Sequence, residues 1–173
     1  MLLSHAVNVL DQIESCLQVM ADLPAEQRKY YAELSLGRHV RHISDHYLAF
    51  LSACGGTVFT SEPCIDYNTR HRDSPIETDI HLAREHIRAL QRKLASIQIS
   101  VKTKVTVMSE IDCSDMQTYA FSSSIERELL YLINHTIHHA AYMALLAKQK
   151  GIYFPENIGV APSTLTYQRQ LSE

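Results

Sequence analysis

Apolar residues return every three or four positions at the start of the chain: Leu3, Ala6, Leu10, Ile13, Leu17 and Met20. That spacing keeps them on one face and predicts an amphipathic helix over residues 2–21. Leu23-Pro24 ends it, since proline lacks the N–H and clashes with the preceding turn. Residues 26–31 are polar and predict a connector with some helical turn. A second stripe, Leu36, Val40, Ile43, Tyr47, Phe50 and Cys54, predicts a helix from a Ser35 cap to about Cys54, stopped by Gly55-Gly56. Residues 57–75 carry no period and form a long connection, of the kind that is often functional. A third helix is predicted from about Ile76 to Ser96, with Ile80, Ala83, Ile87, Leu90 and Leu94 inward. Glu77 and Asp79 fall in its first turn, where the helix dipole favours acids.

The period then changes from helical to alternating. Ile97 to Met108 places Ile99, Val101, Thr103, Val105 and Val107 two apart, which predicts a short strand or hairpin with Tyr119-Ala120-Phe121 as its partner. From Ser124 to Lys150 no Gly or Pro interrupts a run rich in Leu, Ile, Ala and Met, so a long helix is predicted, capped by Ser122, Ser123 or Ser124 and closed by Gly151. The tail after Gly151 is too punctuated by Pro and Gly for another long helix. Four helices, one long loop and a small β insertion before the last helix predict a mainly α fold, a four-helix bundle, in one domain over residues 1–173.

Composition narrows the function classes. A length of 173 residues is enough to bury roughly 70% of the unfolded surface without staples. With 46% hydrophobic and 20% charged residues and a net charge of -3, nothing favours nucleic acid or an anionic membrane as partner. No apolar run approaches the roughly 20 residues of a membrane span, and the N-terminus has no basic leader or cleavage site, so a cytoplasmic protein is expected. Cys16, Cys54, Cys64 and Cys113 form no Cys-x-x-Cys pair and are expected as free thiols.

The outlying number is ten histidines, six of them grouped at 39/42/46 and 135/138/139. His135 and His139 are four apart and stack on one helical face, the spacing that lets two imidazoles share a metal ion. A catalytic site of the zinc type takes three protein ligands and one open position. The third must come from the second helix, and spacing alone does not choose among His39, His42 and His46. Two familiar motifs are excluded. A zincin needs Glu after the first His, where Thr136 stands. A di-iron bundle needs Glu three residues before a His, and no histidine here has one. Against metal binding stands the plainer reading of packed, hydrogen-bonded core imidazoles.

The run His135-Thr136-Ile137-His138-His139-Ala140-Ala141-Tyr142 resembles the DinB/YfiT-like superfamily of metalloenzymes, whose last bundle helix reads His-x-x-His-His-x-x-Gln; Tyr142 stands where many members have Gln. Ser35-Leu36, then His42 and Asp45, resemble the family's second helix. The resemblance extends to Asp66-Tyr67, Arg70, Arg72-Asp73, Ile76-Glu77 and the tail Gly159 to Leu165, which look like a DinB-like subgroup without an assigned reaction. It implies His42, His135 and His139 as ligands of a divalent metal, with Zn or Ni suiting imidazole donors. Asp45, His46 and His138 become candidates for supporting contacts or proton transfer, although His138 points about 100° away from its neighbours. Tyr67, Arg70 and Arg72 are candidates for a pocket rim that grips a carboxylate or phosphate. The plainer reading of that loop is a solvated basic segment paired with Glu62, Asp66 or Asp73.

The expected function is a metal-dependent transferase or hydrolase acting on a small anionic molecule, with a low-molecular-weight thiol as a second cofactor in the transferase version. The competing expectation is a non-catalytic bundle, with a homodimer left open, in which metal only ties two helices together.

Overall fold

The computed structural model describes residues 1–55 and 62–171. Gly56 of the predicted stop and residues 57–61 of the predicted connection lie outside the described residues. The fold is mainly helical with a small three-stranded sheet. Four long helices carry it: α1 (Leu2–Asp22), α4 (Leu36–Cys54), α5 (Ile80–Ser96) and α6 (Ile125–Lys148). The short α2 (Ala25–Arg28) and α3 (Tyr30–Glu33) fill the first connector. α1 packs on α5 and α6, and α4 packs on the same two helices. The predicted stripes meet in one core: Leu10, Ile13 and Leu17 of α1, Val40, Ile43 and Phe50 of α4, Ile87 and Leu94 of α5, and Leu129 and Leu132 of α6 are all fully buried.

The helix boundaries follow from capping chemistry. Ser124 caps α6 by accepting a hydrogen bond from the Arg127 N–H (3.2 Å). Beyond its last turn Gly151 sits at φ +69°, a left-handed position, and the Ile152 N–H returns to the Ala147 carbonyl at 3.1 Å. Ser35 stands at the start of α4, yet its φ is +57° and its side chain makes no cap bond. The third long helix begins later than its pattern suggests. Asp79 is its N-cap, accepting from the His81 and Leu82 N–H groups at 2.9 and 3.0 Å. Pro75–Glu77 instead forms a 3-10 turn laid against α4. Gly37 makes that approach feasible, since a Cβ there would lie 2.1 Å from the Glu77 carbonyl oxygen.

The sheet pairs β1 (Cys64–Asp66), β2 (Lys104–Glu110) and β3 (Thr118–Ser124) in that order. β2 and β3 are antiparallel, with Val107 opposite Phe121, as the alternation implies. β2 starts later than predicted. Ser100–Thr103 make a turn closed by the Thr103 N–H to the Ser100 carbonyl (3.0 Å), and Ile99 and Val101 are half-buried against the helical core rather than strand-paired. β1 lies parallel to β2, with Ile65 opposite Val107, and α5 provides the crossover that a parallel pair requires. The tail forms a nine-residue helix, α7 (Pro162–Gln170). Gly159, at φ +71°, lets the preceding chain cross α6, where a Cβ would meet the Ala141 nitrogen at 2.2 Å. Among the described residues no helix is long and apolar enough to cross a membrane.

Candidate metal centre

His39, His42 and His46 are spaced three and four apart, so α4 presents them as one row; His135 and His139 form the facing row on α6. Between the rows Tyr47 and Thr136 share a buried hydrogen bond of 3.2 Å, and Thr136 also donates to the Leu132 carbonyl at 2.7 Å. This contact fixes the distance between the two helices at the histidine level. Five imidazoles then meet: ring centroids are 4.9 Å apart for His42–His135, 4.8 Å for His42–His139, 4.5 Å for His135–His139, 4.7 Å for His42–His46, 4.3 Å for His46–His135 and 5.1 Å for His39–His139.

Within this cluster, one nitrogen from each of His42, His46 and His135 lies within 4.8 Å of the others. Both ring nitrogens of His46 and Nε2 of His135 are buried and have no hydrogen-bond partner among the described residues. A buried imidazole without a partner forfeits its hydration and gains nothing in return, unless a group outside the protein chain supplies the missing bond. His139 is differently engaged, its Nδ1 lying 2.9 Å from Nδ1 of His39 in a shared hydrogen bond. Burial lowers every one of these basicities. His46 is pushed down to about 2, His139 to about 3 and His135 to about 4, each by desolvation first and by its neighbouring imidazoles second. His39 and His42 are lowered for the same leading reason. Neutral imidazole is the ligand form, so the cluster is poised to bind a cation without first losing protons.

The other residues singled out from the sequence are more scattered. Asp45 is buried but turned from the imidazoles: Oδ2 accepts from Arg41 at 2.7 Å and Oδ1 meets Nδ1 of His71 at 2.7 Å. Arg41 in turn pairs with Glu77 at 2.5 Å. Asp45 therefore anchors the 67–77 segment to α4. His138 is exposed, 5.5 Å between centroids from His139. Tyr67 is buried, its ring 5.0 Å from that of His46 and its hydroxyl donating to Glu128 at 2.9 Å. Arg70 lines the cavity beside His42, His46 and His135; Arg72 is exposed and does not. Arg70 donates to the main-chain carbonyls of Tyr67 and Thr69, in place of the acids expected from the sequence.

The cavity, about 520 Å³, runs from the imidazoles to the sheet, where Val107, Phe121 and Ile111 form its far wall. Three wall residues escaped sequence reading: Arg127, Glu128 and Tyr131. A signal existed, because Tyr131 and Glu128 continue the His135 row toward the helix N-terminus at spacings of four and three. Tyr131 stacks on His135 at 5.4 Å. Glu128, 1% exposed, was the more telling, since a lone acid on an apolar stripe must find donors. It accepts from Tyr67, from Ser123 at 2.5 Å and from Arg127 at 3.2 Å.

Against known families, the pattern of the DinB family matches residues 2–164. The chain belongs to the DinB family. The resemblance carried by His135 to Tyr142 and by the second helix is thus correct for the family. A protein of Rhizopus delemar (strain RA 99-880) named FK506-binding protein 5 is 36% identical over 104 residues, which cover 60% of this DinB chain and 27% of that protein. The chain thus spans about a quarter of the length of this curated relative. No solved structure matches this DinB protein.

Proposed function

We propose that this DinB protein is a metal-dependent enzyme, a thiol-dependent transferase or a hydrolase, that acts on a small anionic molecule. In this reading residues 1–173 form one domain whose long helices make a four-helix bundle around a divalent ion, Zn or Ni. The observation that carries the reading is the set of three converging nitrogens on His42, His46 and His135, two of these residues holding buried nitrogens without partners. His42 and His135 belong also to the set implied by the family's motif, in which His139 is the third ligand. The convergence favours His46, and the hydrogen bond of His139 to His39 supports the same choice. When bound, such an ion acts as a Lewis acid and lowers the pKa of a coordinated water or thiol.

The protein supplies the rest. Tyr67 and Tyr131 pack on His46 and His135 and restrict their rotation. The tyrosines, Val107 and Phe121 exclude water from one side of the site, and Arg70 places a positive charge at its edge. That arrangement receives an anion better than a neutral molecule.

The test is elemental analysis of purified protein beside the variants His42→Ala, His135→Ala, His46→Ala and His139→Ala. About one metal per chain is expected in the parent. The first three variants should lose it and His139→Ala should keep it. Retention in His46→Ala with loss in His139→Ala returns the third ligand to His139. A parent that holds no metal after reconstitution overturns the enzyme reading. A metal whose removal loosens the fold, in a protein with no turnover in transferase and hydrolase screens, establishes the alternative of a non-catalytic, metal-stabilised bundle.

A further inference from the structure

Outside the imidazoles, the same cavity holds a set of charges that metal binding does not use. Arg127 of α6 donates to Glu128 at 3.2 Å, Glu128 accepts from the Tyr67 hydroxyl at 2.9 Å, and the Tyr67 carbonyl accepts from Arg70. Two arginines from different parts of the chain are thereby tied to one buried hub, Glu128 and Tyr67. Each spends one terminal nitrogen on that hub and keeps further N–H groups free of partners among the described residues. The Arg127 guanidinium also lies 5.4 Å from the Tyr131 ring centroid, which aligns it with the cavity wall. Of the charged groups that line the cavity among the described residues, Arg70 and Arg127 are positive and Glu128 is the one acid. The imidazoles add no negative charge. On the sheet side the wall offers the apolar side chains of Val107, Ile111 and Phe121, interspersed with Ser109, Ser122 and Ser123.

We propose that Arg70 and Arg127 form a two-armed clamp for the acidic head of an amphipathic substrate, a carboxylate or phosphate joined to an apolar body that lies on Val107, Ile111 and Phe121. The proposal rests on the reading of the histidine cavity as a substrate site and names the class of molecule it takes. The head group sits between two guanidiniums already held in place, so little side-chain freedom is lost on binding. The apolar body extends from the clamp to the far wall, which leaves the head-group end of the molecule beside His42, His46 and His135. Arg127 is then a specificity-determining residue. It also borders a second cavity of about 550 Å³ with Lys104, Ser122 and Ser123, where a polar extension of the substrate finds room.

Calorimetric titration with 4-phenylbutyrate, phenyl phosphate and the neutral 4-phenylbutyramide tests this on the full chain, both as purified and after removal of metal with a chelator. The metal-free arm reads the clamp alone, so the clamp and the metal reading can fail separately. The acids are expected to bind at least about ten-fold more tightly than the amide in both arms. Arg70→Gln and Arg127→Gln should each weaken acid binding about ten-fold and leave the amide unchanged, whereas Arg92→Gln on the exposed face of α5 should change neither. Phe121→Ser should weaken acid and amide alike. The tighter of the carboxylate and the phosphate identifies the head group. Equal binding of acid and amide, an Arg92→Gln loss as large as that of Arg127→Gln, or no binding by any of the three probes overturns the proposal.

Discussion

Two helix seams of this protein are built on opposite rules. Between α1 and α5 the interior is apolar, with Leu10, Ile13 and Leu17 packed near Ile87, Leu90 and Leu94. Its polar margin is paired: Arg84 and Arg88 both reach Glu14, at 2.8 and 2.6 Å, and Gln91 meets Asp11 at 2.5 Å. Between α4 and α6 the margin is a double row of imidazoles drawn into the fold. Three of the four buried side-chain nitrogens that lack partners among the described residues belong to His46 and His135; the fourth is Nε2 of His86. The first seam pairs the polar groups at its margin over an apolar interior. The second breaks the rule that buried polar groups are paired, and such breaks concentrate at functional sites.

If the seams are built for different ends, the largest loss of stability should come from the apolar one. Ile13→Ala removes a fully buried side chain and leaves a cavity, costing about 2–5 kcal/mol in urea unfolding. Metal content per folded chain should be unchanged, because Ile13 lies on α1, which carries neither histidine row. A variant that loses metal in proportion to its stability would show that the seams are not separable.

The next effect is smaller and has a sign that distinguishes the seams. The imidazoles at 39, 42, 46, 135 and 139 titrate below their ordinary value in the folded protein, chiefly through desolvation. The unfolded chain takes up protons near pH 6.5 and the folded one does not, so acid favours unfolding. Metal-free protein should therefore keep full stability above about pH 6.5 and lose on the order of a few kcal/mol as pH falls toward 4. The window ends in the range to which His135, His139 and His46 are pushed, about 4, 3 and 2. His46→Leu should flatten this slope and leave the Ile13→Ala cost untouched. Thermal melts across pH measure it, and a slope unaltered by His46→Leu would place its source elsewhere.

This difference between seams also explains what could be read from sequence. The long helices were legible because Leu10, Ile13 and Leu17, or Ile80, Ile87 and Leu94, repeat with the helical period, and burial follows the repeat. β1 was not, since three residues, Cys64–Asp66, are too short to show alternation, and the partner of Ile65 lies across a whole helix at Val107. The histidine rows were legible as rows, whereas the choice among His39, His42 and His46 depends on the rotation of α4 against α6. Asp45 was singled out beside His46, yet adjacent helix positions point about 100° apart, and its partner His71 comes from a loop 26 residues on. Glu128 continues the His135 row, yet the sequence does not say what would pair it. Its burial depends on Tyr67, Ser123 and Arg127 closing around it, which only the assembled fold shows.

The smallest effect belongs to the margin of the apolar seam. Glu14 receives Arg84 and Arg88 with its carboxylate 20% exposed, and the two arginines are 15% and 49% exposed. Such pairs gain little over hydrated ions, because water screens the attraction and long side chains lose freedom in holding one geometry. Glu14→Gln should therefore lower stability by no more than about 1 kcal/mol, with most of that loss gone at 1 M salt. Denaturant titrations at low and high salt measure it. The contrast with the α4–α6 seam rests on this number staying small. A salt-insensitive loss of several kcal/mol would mean that Glu14 is as deeply committed as the buried Glu128. The margin of the first seam would then be a polar site in its own right, and unpaired burial would no longer be what sets the histidine seam apart.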